Sequence, residues 1–204
     1  LAAVLGICFS VGLFILLPTA LTGLIGLVWK TMPLWVRSVL EGLLKVAIFM
    51  IYLYLCSKMK EIHRVFEYHG AEHKTIYCYE NGLELTVENV RKQPRHHPRC
   101  GTSFLFVVIA VSIFLSIVIF TPLEIENTFL RMALHLLMLP VIVGVTYEFN
   151  RYVGGHDGGV CRALRGPGMW MQNFTTFEPD DSMIEVGIKA LELVLPEEKG
   201  ADAW

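Results

Sequence analysis

Apolar residues fall in long blocks along this chain, and the charged residues gather in the intervals between those blocks. Residues 1 to 29 carry no charge, and Thr102 to Thr121 are twenty more residues without one. At 1.5 Å per residue a helix of that length reaches about 30 Å, the thickness of the hydrocarbon layer of a bilayer. A third block, Leu34 to Ser57, carries Arg37, Glu41 and Lys45 at four-residue steps, which stacks a carboxylate between two cations on one helix face. Such a stack reads as a structural ion ladder near the interface in preference to a substrate path. The fourth block, Phe129 to Asn150, follows a helix-capping Asn127 and contains His135 and Pro140. It spans a bilayer if Arg131 and Glu148 sit at the two interfaces. The first block has an alternative form, a re-entrant or hairpin element broken at Pro18.

The predicted fold is therefore all-α: a polytopic membrane protein of about four transmembrane helices, with a cytoplasmic loop and an amphipathic C-terminal helix. Residues 1–150 form the bundle together with the loop 58–101, and residues 151–204 form a membrane-associated tail. Composition agrees, since 54% of the residues are hydrophobic and 18% are charged. The loop holds eight of the seventeen Lys and Arg residues and the tail five more. Four spans bring these two segments out on one side, and the positive-inside rule makes that side cytoplasmic. A net charge of −2 gives no case for nucleic acid. The apolar start has no basic region before it, so a signal peptide is not expected. Five scattered cysteines make no disulfide framework and are expected as reduced thiols.

Within the loop, residues 58 to about 79 can continue the Leu34 to Ser57 span as one helix, with Ile62, Phe66, His69 and His73 on a shared face. Thr86 can cap a short helix through Arg91 or Lys92, and Pro94 and Pro98 keep the next stretch extended. In the tail, Asp180, Asp181 and Ser182 can cap a helix from about Met183 to Leu195. Its stripe of Ile184, Ile188, Leu191 and Leu195 should pack on the protein itself. Trp170 reads as an interfacial anchor.

The chemistry-bearing motif is His69-Gly70-Ala71-Glu72-His73. Four positions apart on a helix, the two histidines share a face and can reach one metal ion, with Glu72 beside them as a proton acceptor, the H-x-x-E-H arrangement of inverted zincins. Glu148 is the expected third ligand; the competing reading pairs it with Arg151 one helical turn on. His97 and Cys100, at H-x-x-C spacing, are the competing third or fourth ligands. Arg95 and Arg99 read first as headgroup anchors, and Arg99 or Arg151 could balance negative charge that develops on a substrate. His135 lies about 20 Å along a helix from Glu148, too far to join.

The strings FEYHGAEHKTIYCYENG (Phe66 to Gly82), HPRCGTSF (His97 to Phe104), YEFNR (Tyr147 to Arg151) and PGMWMQNFTTFEPDDSMIEVGIKAL (Pro167 to Leu191) resemble the YqhQ-like family of bacterial membrane proteins, whose function is unknown. The likeness covers nearly the whole chain. It implies a multi-pass protein of the bacterial cytoplasmic membrane and a predicted metal-dependent enzyme. By motif it points to His69, Glu72, His73, His97, Arg99, Cys100, Glu148 and Arg151. The family pattern also has a Gly-Gly-Gln-Ala-Val-x-Glu-Gly-Val-Met-Met-Arg-like N-terminal segment, which these residues do not include.

The expected function is a membrane-integral metal-dependent hydrolase of inverted-zincin type, with Zn²⁺ or another divalent transition metal held at the cytoplasmic face. Its partners would be the lipid bilayer and either a membrane-protein substrate, as for a protease, or a lipid-linked ester or amide. The competing class is a non-catalytic structural or sensory metal site, or an assembly factor, in which four ligands close around the ion. Transport ranks third, because residues 1 to 29 and Thr102 to Thr121 carry no ionisable side chain other than Cys8.

Overall fold

The computed structural model describes residues 1–156 and 158–196 and leaves aside the side chains of Thr102 and Ser103; Asp157 and the tail residues 197–204 lie outside the described residues. All regular structure among the described residues is helical. The first block is α1 (Ala2–Val11), a π-helical turn (Gly12–Leu16) and α2 (Leu17–Val28), which follow one another without a loop. Pro18 lies in the first turn of α2, where its missing N–H costs least, so it does not break the block into a hairpin. Then come α3 (Leu34–Ser57), α4 (Lys60–Glu80), α5 (Val87–Arg91), α6 (Gly101–Phe120), α7 (Thr128–Gly154), α8 (Gly159–Met171) and α9 (Asp181–Glu192). Among the described residues three helical stretches are long and apolar enough to cross a membrane, Ala2–Val28, Leu34–Ser57 and Thr128–Gly154, and Phe104–Phe120 is a shorter apolar one.

The chain divides into two compact units, Leu1–Tyr52 with Leu105–Phe149, and Leu53–Phe104 with the chain from Asn150. The loop and the tail, assigned by sequence to different domains, thus cluster together.

The first unit is the apolar one, yet it buries a polar network. Glu41 is 1% exposed, and its carboxylate accepts hydrogen bonds from Thr19 Oγ1 (2.6 Å), Arg131 Nη2 (3.0 Å) and His135 Nε2 (2.5 Å), with Lys45 Nζ at 3.3 Å. Arg131 also donates to Ser38 Oγ and lies over the Phe120 ring. Arg37 donates to the Glu126 carbonyl and to Thr128 Oγ1. Charge in an apolar interior is costly unless paired and hydrogen-bonded, and Glu41 is the carboxylate that Lys45 and Arg131 share. Arg131 is fully enclosed by protein, paired with Glu41 and donating to the Ile125 carbonyl. Helix approach is close here: a Cβ on Gly42 would fall 2.3 Å from Ile113, so only glycine fits.

In the second unit α3 and α4 are separate helices, not one continuous rod. Ser57 Oγ bonds back to the Tyr54 carbonyl, His63 Nδ1 donates to the Ser57 carbonyl, and Met59 takes extended dihedrals. These contacts satisfy carbonyls that a continuing helix would have used. α5 starts at Thr86, whose side chain accepts from the Asn89 N–H, and α9 starts at Asp180, which accepts from the Met183 N–H. α9 ends at Glu192, so Leu195 falls beyond it. α4, α5 and α9 share a core of Ala71, Cys78, Val90, Met183, Ile184 and Ile188. Lys74 ties this core to the tail through an ion pair with Glu178 and a bond to the Arg91 carbonyl.

Ile184 is completely buried in that core and Val186 on the same helix is exposed. Ile184→Ala is expected to lower stability by about 2–5 kcal/mol, whereas Val186→Ala should stay within about 0.5 kcal/mol. Thermal unfolding of the detergent-solubilised chain, followed by circular dichroism, checks both.

Candidate metal centre

Every element of this site belongs to the second unit. α4 presents His69 and His73 on one face, with ring centroids 4.3 Å apart. Cys100, at the end of the Pro94–Pro98 stretch, brings its Sγ to 3.3 Å from His69 Nε2. The possible ligand atoms of His69, His73 and Cys100 all lie within 4.8 Å of one another. His73 and Cys100 are buried and His69 is half-buried.

Backbone carbonyls set both imidazoles. His69 Nδ1 lies 2.7 Å from the Thr175 carbonyl oxygen and His73 Nδ1 lies 2.6 Å from that of Arg95. A carbonyl can only accept, so each Nδ1 carries the proton and each Nε2 keeps its lone pair. That is the tautomer a metal-binding histidine needs, and a hydrogen-bonded second nitrogen is the usual support for one.

The tail supplies that support. Residues 175–177 run across α4: the Phe177 N–H donates to the Phe66 carbonyl, and a Cβ on Gly70 would lie 2.0 Å from the Phe177 carbonyl oxygen. Glycine at the second position of the motif is therefore what lets the tail backbone pass over the histidine pair. Gln172, fully buried, holds the other side. Its Oε1 accepts from the His97 N–H and its Nε2 donates to the His97 carbonyl, both at 2.8 Å. Arg95 also donates to the Thr176 carbonyl.

His97 lies beside the donor group without joining it. Its Nδ1 accepts from the Arg99 N–H at 3.2 Å and its Nε2 lies 3.2 Å from the Glu80 carboxylate, which also pairs with Arg99. Burial pushes the His97 pKa below its ordinary value; Glu80 opposes this, while His73 and Arg99 add to it. Burial also pulls the His69 pKa down, but the bonds to Cys100 and Thr175 and the charge of Glu72 outweigh it, and the net shift is upward.

A recess of about 270 Å³ is lined by His69, Glu72, His73, His97, Arg99 and Cys100 together with Ile76, Glu80 and Gly101. Six of the eight residues singled out by sequence thus meet around one cavity. Glu72 is exposed there. Glu148, expected as third ligand, belongs to the other unit, and within the described donor group the third place is taken by Cys100. Arg151 is exposed and does not line the recess. Sequence reasoning missed Gln172, Thr175, Glu80 and a neighbouring recess where Arg162 and Arg165 join Arg99 and Tyr77. The i, i+3 spacing of Arg162 and Arg165 was a visible signal; an amide and a carbonyl reaching in from the tail carry none.

Residues 1–197 match the family described as a protein of unknown function, DUF1385. The chain belongs to this family. It is 36% identical over 197 residues to the "Uncharacterized protein YqhQ" of Bacillus subtilis (strain 168), a match that covers 94% of this chain and 59% of the relative. The chain thus spans about three-fifths of the length of the curated relative it matches. No solved structure matches it. The family is settled by these matches, and neither of them names an activity.

Gly70→Ala is expected to push the tail backbone off α4 at a cost of about 1–3 kcal/mol. Limited proteolysis checks it: cleavage between Gln172 and Asp180 should quicken in the variant, and unchanged cleavage would refute the crossing.

Proposed function

We propose that this chain is a membrane-integral, metal-dependent hydrolase whose ion is held by His69, His73 and Cys100. The supporting observation is the pair of Nδ1 bonds to the Thr175 and Arg95 carbonyls, which leaves two Nε2 lone pairs beside a cysteine sulfur. Two imidazoles and a thiolate suit Zn²⁺, and three protein donors leave a coordination position open, as catalytic zinc sites require. An ion there would lower the pKa of water and polarise the carbonyl or phosphoryl group under attack. Glu72, exposed on the recess wall, would accept the proton of the attacking water and return it to the leaving group. Arg99 would offset negative charge on the reacting oxygen, and Glu80 holds its guanidinium at 3.1 Å.

In this reading α6 is a fourth span and the recess opens at the cytoplasmic face, since thirteen of the seventeen Lys and Arg residues lie in the loop and tail. The substrate is then an ester or amide of a lipid-linked molecule, or a peptide bond of a membrane protein. The non-catalytic alternative needs a fourth protein ligand. His97 would be the one, and both of its ring nitrogens are engaged elsewhere.

The full chain purified in detergent and supplied with zinc is expected to retain about one equivalent by elemental analysis, with His73→Ala and Cys100→Ala each reducing it. Glu72→Gln should keep the metal and lower hydrolysis of p-nitrophenyl esters or a fluorogenic peptide by about 100-fold or more. Metal-free protein would remove the site; full activity in Glu72→Gln would remove the base.

A further inference from the structure

The apolar unit contains a chamber that the metal centre does not use. Its volume is about 360 Å³, near the lower end of the range for small-molecule sites, and its walls are apolar, among them Phe14, Phe49, Val108 and Ile142. The ionisable side chains lining it are Lys45 and His135, 7% and 6% exposed. Lys45 Nζ and His135 Nε2 lie 3.1 Å apart, so two polar groups meet on one patch of an otherwise greasy wall.

The charges behind that patch do not balance. Lys45 and Arg131 share one carboxylate, Glu41, while Arg37 donates to the Glu126 carbonyl and Thr128 Oγ1 and has the Glu126 charge nearby, which leaves three cations to two carboxylates. Acceptors run short as well: the Nε atoms of Arg37 and Arg131 are buried with no hydrogen-bond partner. An uncompensated cation inside an apolar bundle is costly, and a bound anion removes that cost. A third, independent feature is the π-helical turn Gly12–Leu16, which places Phe14 on the chamber wall, edge-on to Phe49 and Tyr52. Such turns are frequent at functional sites.

We propose that this chamber binds one long-chain fatty acid, its carboxylate paired with Lys45 and its chain lying between Phe14, Phe49, Val108 and Ile142. Size selects a single chain over a two-chain phospholipid, and one ammonium group on an apolar wall fits one carboxylate.

The test is equilibrium binding of radiolabelled oleate to the delipidated full chain in detergent, with oleyl alcohol and phosphatidylglycerol as competitors. Expected are one oleate per chain, weak competition by either competitor, and affinity lowered about 10- to 100-fold by Lys45→Met but retained in Lys45→Arg. Val108→Phe, which adds bulk to the apolar wall, should also abolish binding. The proposal is overturned if oleyl alcohol or phosphatidylglycerol competes as well as oleate itself. It is equally overturned if Val108→Phe, folded by circular dichroism, binds oleate normally, or if oleate does not bind at all.

Discussion

The passage of the Thr175–Phe177 backbone over Gly70 is the contact on which the second unit turns. It places a carbonyl oxygen against His69 Nδ1, an N–H against the Phe66 carbonyl, and the tail within reach of the loop, where Gln172 grips His97 at both backbone groups. A side chain at position 70 would meet the Phe177 carbonyl oxygen at 2.0 Å and remove all three at once. The crossing is held from both ends. On one side α9 buries Met183, Ile184 and Ile188 against α4 and α5; on the other Gln172 is itself fully buried. Hydrophobic burial of a few apolar side chains, about 1.5–3 kcal/mol each, is thereby coupled to the orientation of one imidazole. A ring fixed in this way loses little further freedom when it binds a ligand, which is the physical meaning of a preorganised site.

The two units handle burial in opposite ways. In the polar unit ordinary apolar stripes meet, and charges such as Arg91 and Asp181 pair at the surface. In the apolar unit nearly any side chain is acceptable at the periphery, so the specifying contacts are the polar ones. Glu41 collects Thr19, Lys45, Arg131 and His135 from three helices, and each of those groups has few other places to go in a medium without water. Such networks fix which helix faces which more sharply than apolar packing can, because a one-residue rotation would strand a charge.

Much of this was legible along the chain, and the failures share a cause. The apolar blocks, the Thr86 and Asp180 caps, the stripe of α9 and the H-x-x-E-H turn are local periodicities, and periodicity is what a sequence displays directly. The Arg37, Glu41 and Lys45 ladder was equally visible, but its partners, Arg131 and His135, sit on a helix ninety residues later and were not matched to it. Those two residues are themselves four apart, so a second ladder of the same pitch was available to be matched with the first. Glu148 was favoured as a ligand because it closes a span on the side where the histidines emerge. Cys100, a candidate by its H-x-x-C spacing, comes close to the histidine pair at the end of a stretch that a buried glutamine holds, and that grip has no periodic trace.

The state of His97 bears most directly on what the donor group can do. A fourth protein ligand would close the site, and His97 has the right chemistry and a ring centroid only 5.8 Å from that of His73. To reach in, it would have to release the Arg99 N–H from Nδ1 or the Glu80 carboxylate from Nε2, and to strain the two Gln172 bonds that hold its backbone. A hydrogen bond to a charged group contributes about 1.5–3 kcal/mol and an ordinary one about 1 kcal/mol, so the barrier to closure is the sum of several modest terms. Glu80 adds a further link, since the carboxylate that keeps His97 out also holds Arg99 beside the recess. Keeping His97 away from the donor group and holding Arg99 beside the recess are thus one arrangement, built on a single carboxylate.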